Sequence, residues 1–308
     1  MSNEAEGRPD SNRESYEPGP ILAGYYRAWH DNCGKPRGDS ISLGDVPADL
    51  DLVSIITNGE VDDDFWVALP AYIEKLHSQG TKVVRTLFLD CLYQDTYEDC
   101  GEVHTFSRLG EENGGPDRRA DEIIANYLKP FDYDGLVIDV DHEPESEQMA
   151  ATAEVFHALA KKWGPGSASS RLMIFDQDIL LPQTSLIAQV YKDCSYYFAD
   201  TYGMDVRRIQ GLFEQVRDFV PASKFVTGFS FYEEGGPRWG DVTYPFEGSR
   251  VKDLLFWHPA GSNRTGGLFA YAIDRDGVAQ GDDRLRRTDF KTMHYVKEQL
   301  ENKGVSHE

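Results

Sequence analysis

Eight apolar, β-branched runs recur along the chain, and amphipathic stretches separate most of them. The runs are ILAGYYRAW (21–29), LDLVSIIT (50–57), TKVVRTLFL (81–89), YDGLVIDVD (133–141), RLMIFDQ (171–177), YYFADTY (196–202), KFVTGFSFY (224–232) and GGLFAYAID (266–274). Between them, DDFWVALPAYIEKLHSQG places Phe65, Leu69, Tyr72, Ile73 and Leu76 along one helical face and stops at Gly80. SEQMAATAEVFHALAKKW opens on Ser146 among acids and ends in bases, as the helix dipole favours. DVRRIQGLFEQVRDFV and DFKTMHYVKEQL have the same character. Strand and helix in strict alternation predict an α/β fold, a single (β/α)8 TIM barrel over residues 21–300. Residues 1–20 carry almost no large apolar side chains and are expected to form a disordered tail, as are residues 301–308.

In such barrels the chemistry sits where the strands end. The predicted strands end in Trp29 and His30, Arg85, the carboxylates Asp139, Asp141 and Glu143, Asp176, Asp200 with Tyr202, Tyr232 with Glu233, and Asp274. So many polar and aromatic ends together predict a pocket. Alternate strand residues share a face, so Asp139, Asp141 and Glu143 are expected to project together. Segment 90–117 is too long for a plain connector and is expected to form a rim or lid on the substrate side. Arg275 is expected to tie a rim loop.

The formal net charge of −22 excludes a nucleic-acid partner, which requires clustered Lys and Arg, and disfavours anionic membrane surfaces. No apolar run approaches the length of a membrane span. The N-terminus lacks the order of a signal peptide, which predicts a cytoplasmic chain, or alternatively a secreted one whose signal has been removed. Four cysteines, Cys33, Cys91, Cys100 and Cys194, are too few for a disulfide scaffold and read as isolated thiols, although Cys91 and Cys100 are spaced to bridge. One glycosylation pattern starts at Asn263. No His or Cys spacing suits a metal and no Gly-rich loop suits a phosphate, so neither metal nor cofactor is expected. No feature specifies an oligomeric state.

YDGLVIDVDHE resembles the fourth-strand signature of glycoside hydrolase family 18, D-G-x-D-x-D-x-E. The likeness is greatest to the EndoS-type endo-β-N-acetylglucosaminidases, and it extends to YYRAWHD (25–31), DLVSII, GTKVVRT, GFSFYEE (228–234) and LFAYAIDRDGVA (268–279). The resemblance implies substrate-assisted, retaining hydrolysis of an N-acetylglucosamine-containing glycan or glycoprotein. A carboxylic acid protonates the glycosidic oxygen while the 2-acetamido carbonyl attacks, closing an oxazolinium ring. A neighbouring Asp orients the acetamido group, and a Tyr binds it. Asp139 falls on the orienting Asp and Tyr202 on the Tyr. In the gapless fit Val137 replaces the first interior Asp of the signature, and Asp141 replaces the acid Glu. Asp141 is one methylene shorter, which sets its proton about 1.5 Å back. In a register moved by two residues, Glu143 is the acid instead. Asp176, Asp200 (where relatives carry an amide) and Tyr271 (where many carry Trp) join Trp29, Arg85, Tyr232 and Glu233 as implied sugar contacts. Two other readings follow from the altered signature: a barrel that binds a glycan or protein without cleaving it, or one redirected to acid–base chemistry on a small molecule.

Overall fold

The structure is a computed structural model and describes residues 20–33, 40–110, 114–178, 185–236, 239–279 and 281–305. In chain order the elements are β1 (Ile21–Arg27), β2 (Leu52–Ile56), α1 (Asp63–Ser78), β3 (Lys82–Phe88), β4 (Thr96–Asp99), β5 (Glu102–Thr105), α2 (Gly115–Ile123) and β6 (Gly135–Val140). They continue with α3 (Met149–Lys162), β7 (Leu172–Gln177), α4 (Ser185–Val190), β8 (Tyr196–Ala199), α5 (Val206–Val216), β9 (Phe225–Ser230), α6 (Arg250–Phe256), β10 (Gly267–Tyr271) and α7 (Lys291–Val305). Eight strands close a parallel barrel in the order β1-β10-β9-β8-β7-β6-β3-β2, and β4 and β5 pair separately as a hairpin. The expected α/β barrel is therefore formed.

Alternation along each strand divides the core in two. On β1, Leu22 and Tyr26 face the helices while Ala23 and Tyr25 face the barrel axis. The axial core adds Val84, Val137, Ile174, Phe198, Val226 and Phe269. Phe198 and Phe269 stack at 4.7 Å between centroids. Gly228 makes room for that stack, because a Cβ there would meet the Phe269 ring at 2.4 Å. Apolar layers thus plug the barrel below its C-terminal mouth, and polar side chains are left to the top layer.

Several boundaries differ from the sequence reading. The first strand stops at Arg27, and Ala28–His30 make a 3-10 turn that carries Trp29 and His30 onto the rim. Among the described residues no α-helix joins β1 to β2. Segment 90–117 is not a plain loop: it holds the β4–β5 hairpin and the start of α2. Residues 301–305, expected in a C-terminal tail, instead extend α7, where Lys297 and Glu301 pair at 3.9 Å one turn apart. The expected N-terminal tail, but for residue 20, lies outside the described residues, as do residues 306–308. All four thiols are free, so Cys91 and Cys100 do not bridge. No helix among the described residues is long and apolar enough to cross a membrane.

Candidate active site

Strand β6 delivers Asp139 to the top of the barrel, level with Phe88 on β3 and Asp176 on β7. Asp141 follows just past the end of the strand, open to solvent. Both carboxyls line a cleft of about 200 Å³ whose other walls are Phe88, Leu89 and Asp90 at the end of β3, Thr96, Tyr97 and Glu98 on the hairpin, and His142. Glu143 is not part of this cleft. Its Oε1 accepts the backbone N–H of Leu186 at 3.0 Å, in the first turn of α4. The expected three-carboxylate face therefore fails at its last member. β6 ends at Val140, and the period of two has no hold on the chain beyond it.

Behind the Asp139–Asp141 pair lie two more carboxyls. Asp176 is 3 % exposed, and the Tyr25 hydroxyl donates to its Oδ2. Asp200 follows directly on the end of β8, with Tyr202 two residues further on. Among the described residues, Asp176 Oδ1 and Asp200 Oδ1 are buried without a protein partner. Burial and mutual repulsion disfavour the charged forms of these acids. Burial, then repulsion from Asp141, Asp200 and Asp178, lifts Asp139 well above the usual carboxyl range. Burial, then Asp200 and Asp139, does the same to Asp176. Asp200 is pushed up to about 8, first by burial and further by Asp178 and Asp141. Asp141, at the open edge of the cleft, is raised by partial desolvation and by Asp178, against a lowering influence of His142. His142 is itself tied to the third βα unit: Tyr93 donates to Asp90 at 2.6 Å and lies 2.9 Å from His142 Nε2. A carboxyl crowd could also suggest a cation, but no group of three or more His, Cys, Asp or Glu among the described residues is arranged to hold a metal ion.

An aromatic wall backs the acids. Tyr202 packs against Phe269 and Tyr271, each at 6.1 Å between centroids, and Tyr25 against Tyr271 at 6.3 Å. Trp239 leans on Tyr202 at 6.2 Å and is 36 % exposed. The sequence reading missed Trp239, which sits in a loop without periodicity. Its signal was an aromatic beside glycine in the loop after the seventh barrel strand.

The remaining expected contacts separate into two groups. Trp29, Glu233 and Tyr271 stand at the mouth around Arg27: the guanidinium lies 5.7 Å from the Trp29 ring and 4.0 Å from Glu233. Arg27, 1 % exposed, pairs with Glu234 at 2.8 Å and Asp274 at 2.5 Å. Arg275 is a rim tie as expected, donating to the carbonyls of Tyr232 (2.9 Å), Arg284 (2.6 Å) and Asp282, with Glu234 3.8 Å away. Tyr232 lines a second cavity of about 290 Å³ with Trp239 and Tyr244, and donates to Asp283 at 2.6 Å. Arg85 is not in the pocket. It projects from the outer face of β3 and grips Asp99 of the hairpin at 2.8 Å, Thr57 at 2.9 Å and the Ile55 carbonyl at 3.1 Å. Its neighbour Val84 faces the axis, which turns Arg85 outward.

Comparison with known proteins gives a consistent result. A family profile described as the endo-beta-N-acetylglucosaminidase EndoS TIM-barrel domain matches residues 24–270. Endo-beta-N-acetylglucosaminidase EndoSd of Streptococcus dysgalactiae is 31 % identical over 88 % of this chain, which spans 35 % of that protein. Endo-beta-N-acetylglucosaminidase F2 of Elizabethkingia meningoseptica is 29 % identical over 88 % of this chain and 78 % of its own length. Among solved structures, the apo endo-beta-N-acetylglucosaminidase from Cordyceps militaris superimposes with a TM-score of 0.81 at 33 % identity, covering 92 % of this chain and 91 % of that one. The same enzyme has also been solved as an Asp-to-Asn, Glu-to-Gln double mutant, the two positions two residues apart, in complex with fucosyl-N-acetylglucosamine-Asn.

Proposed function

Because the chain belongs to the EndoS TIM-barrel family of endo-β-N-acetylglucosaminidases, we propose that it cleaves N-acetylglucosamine-containing N-glycans by substrate-assisted, retaining hydrolysis. The observation that carries this reading is the sharing of one cleft by Asp139 and Asp141, while Glu143 is occupied at α4. Asp141, its carboxyl raised above the usual range by partial burial and by Asp178, is the general acid at the glycosidic oxygen. The 2-acetamido carbonyl is the nucleophile at the anomeric carbon. Asp139, its proton released to solvent through the open cleft as the substrate binds, accepts the acetamido N–H and faces the oxazolinium charge as a carboxylate. Tyr202 donates to the carbonyl oxygen. Asp141, now ionised, then activates the water that opens the ring, so the anomeric configuration is retained. Tyr271 and Trp239 supply aromatic faces for sugar rings.

The shortened acid sets the rate. A carboxyl about 1 Å out of place lowers a rate on the order of 10²-fold, so the wild type is a slow hydrolase. A panel of N-glycoproteins incubated with wild type, Asp139→Asn and Asp141→Glu tests this. Released glycan is expected from the wild type, none from Asp139→Asn and more from Asp141→Glu. Release by Asp141→Glu alone would mean that the wild type binds glycans without cutting them.

A further inference from the structure

The cleft that holds Asp139 and Asp141 is lined by acids. Asp90 at the end of β3 and Glu98 on the hairpin add two more carboxyls to the catalytic pair. Among the described residues no Lys or Arg lines this cleft, and its one imidazole, His142, is already engaged. The His142 Nε2 lies 3.3 Å from Asp90 and 2.9 Å from the Tyr93 oxygen. The nearby arginines are committed elsewhere. Arg85 grips Asp99 from the outer face of β3, and Arg27 is paired with Glu234 and Asp274 on the other half of the mouth. Arg119, 1 % exposed, donates to the carbonyls of Cys91 and Ser107 at 3.2 and 3.0 Å. Deeper in the site, Asp176 Oδ1 is buried and receives no protein donor.

Strand alternation brings Glu98 to this cleft. On β4, Tyr97 and Asp99 share the face that anchors to the barrel, through the Phe88 N–H at 3.0 Å and Arg85 at 2.8 Å. Thr96 and Glu98 take the opposite face, where they are exposed to solvent and line the cleft. Carboxyl oxygens accept hydrogen bonds from the hydroxyls of a neutral sugar. A carboxylate on the substrate meets only like charge there, and low-dielectric walls concentrate the repulsion. We propose that the cleft is a charge filter with Glu98 as its specificity-determining residue, admitting neutral glycans and turning away substrates that carry a carboxylate near the scissile bond. The proposal rests on the hydrolase reading of the site and narrows its substrate class. Such a carboxylate comes either from an acidic sugar capping a glycan branch or from an acidic side chain beside the glycosylated Asn. The net charge of −22 adds repulsion of the same sign at longer range.

The test measures glycan release, as kcat/KM, from three glycopeptides. The first carries a neutral glycan on a neutral peptide. The second carries the same glycan capped with sialic acid, and the third carries the neutral glycan on a peptide with Asp flanking the glycosylated Asn. The quantity read is the ratio of neutral to anionic substrate at about 0.01 M and about 1 M salt, where charges are screened over roughly 30 Å and 3 Å. Wild type is expected to favour the neutral substrate about tenfold over at least one anionic one at low salt, and to lose that preference at high salt. The anionic substrate that is disfavoured identifies the source of charge that the cleft meets. Glu98→Gln is expected to lower the ratio, and Glu98→Lys to bring it to one or below. Equal rates on all three substrates at low salt would overturn the proposal and leave the hydrolase reading intact. So would a ratio that Glu98→Lys leaves unchanged, or one that salt leaves unchanged. No release from the neutral glycopeptide would remove the hydrolase reading and this proposal with it.

Discussion

Carboxyl groups crowd both halves of the barrel mouth, but they meet different neighbours there. Where β1, β9 and β10 end, Glu234 and Asp274 are met by the buried guanidinium of Arg27. Burial works to raise Glu234, yet hydrogen bonds and charge from Arg27 hold it below the usual range. Where β6, β7 and β8 end, Asp139, Asp176 and Asp200 meet one another and tyrosine hydroxyls, and all three are raised, by burial before anything else. One residue type therefore does two jobs. A guanidinium within reach turns a buried carboxyl into a fixed strut. Without one, it becomes an acid that keeps a proton to give.

Removing the guanidinium should have the largest effect. Arg27→Met strips Asp274 of its guanidinium and leaves Glu234 only the more distant Arg275 at 3.8 Å, and the fold is expected to lose about 3–5 kcal/mol, read from urea unfolding. A loss near zero would show that the pairing is incidental. Asp139→Asn should do the reverse, lowering turnover about 10²–10³-fold with no loss of melting temperature. Asp141→Glu restores the reach of the acid and is expected to raise turnover by up to about 10²-fold.

The two halves should also answer pH in opposite directions. Asp200 binds its proton more tightly folded than unfolded, so its contribution is fully present in acid and is lost as pH rises toward about 8. Melting curves of Asp200→Asn should therefore gain on the wild type from about pH 4 upward and level off past about pH 8. Glu234 binds its proton less tightly when folded. Its stabilisation is present above the unfolded carboxyl range and is lost as pH falls. Glu234→Gln should trail the wild type at neutral pH and converge with it in acid. Curves of the same sign would erase the distinction between the halves. The smallest effect belongs to Glu143→Gln, a helix-end contact worth about 1 kcal/mol or less, with turnover unchanged.

The sequence made much of this legible. Eight strands were readable because apolar alternation survives wherever a strand has one face on the axis and one on the helices. The mouth was readable because polar residues broke those runs at their ends. Partners were harder to read. Glu143 was placed by extending a strand period past Val140, where no strand remains. Arg85 and Arg27 both sit on barrel strands and look alike. The distinction lay one residue away: Val84 turns Arg85 outward, whereas Arg27 shares a face with axial Tyr25. Trp239 lies in a loop, where no periodicity applies. The raised Asp176 and Asp200 depend on carboxyls more than 20 residues away in sequence that only the closed barrel brings together.

The outward turn of Arg85 has a further consequence. Segment 90–117 had the length of a moving lid, but its hairpin is bolted to the barrel wall by Arg85 through Asp99, and the Tyr97 hydroxyl accepts the Phe88 backbone N–H at 3.0 Å. Such anchors are expected to hold the parapet in place. Under the proposed hydrolase reading, a glycan reaching Asp139 and Asp141 passes over this wall, and the edge is expected to select by the girth of the incoming branch. With a caliper of this kind, swapping the hairpin should change which glycans fit while leaving the rate of the chemical step alone, read from release across a panel of glycans of graded branching.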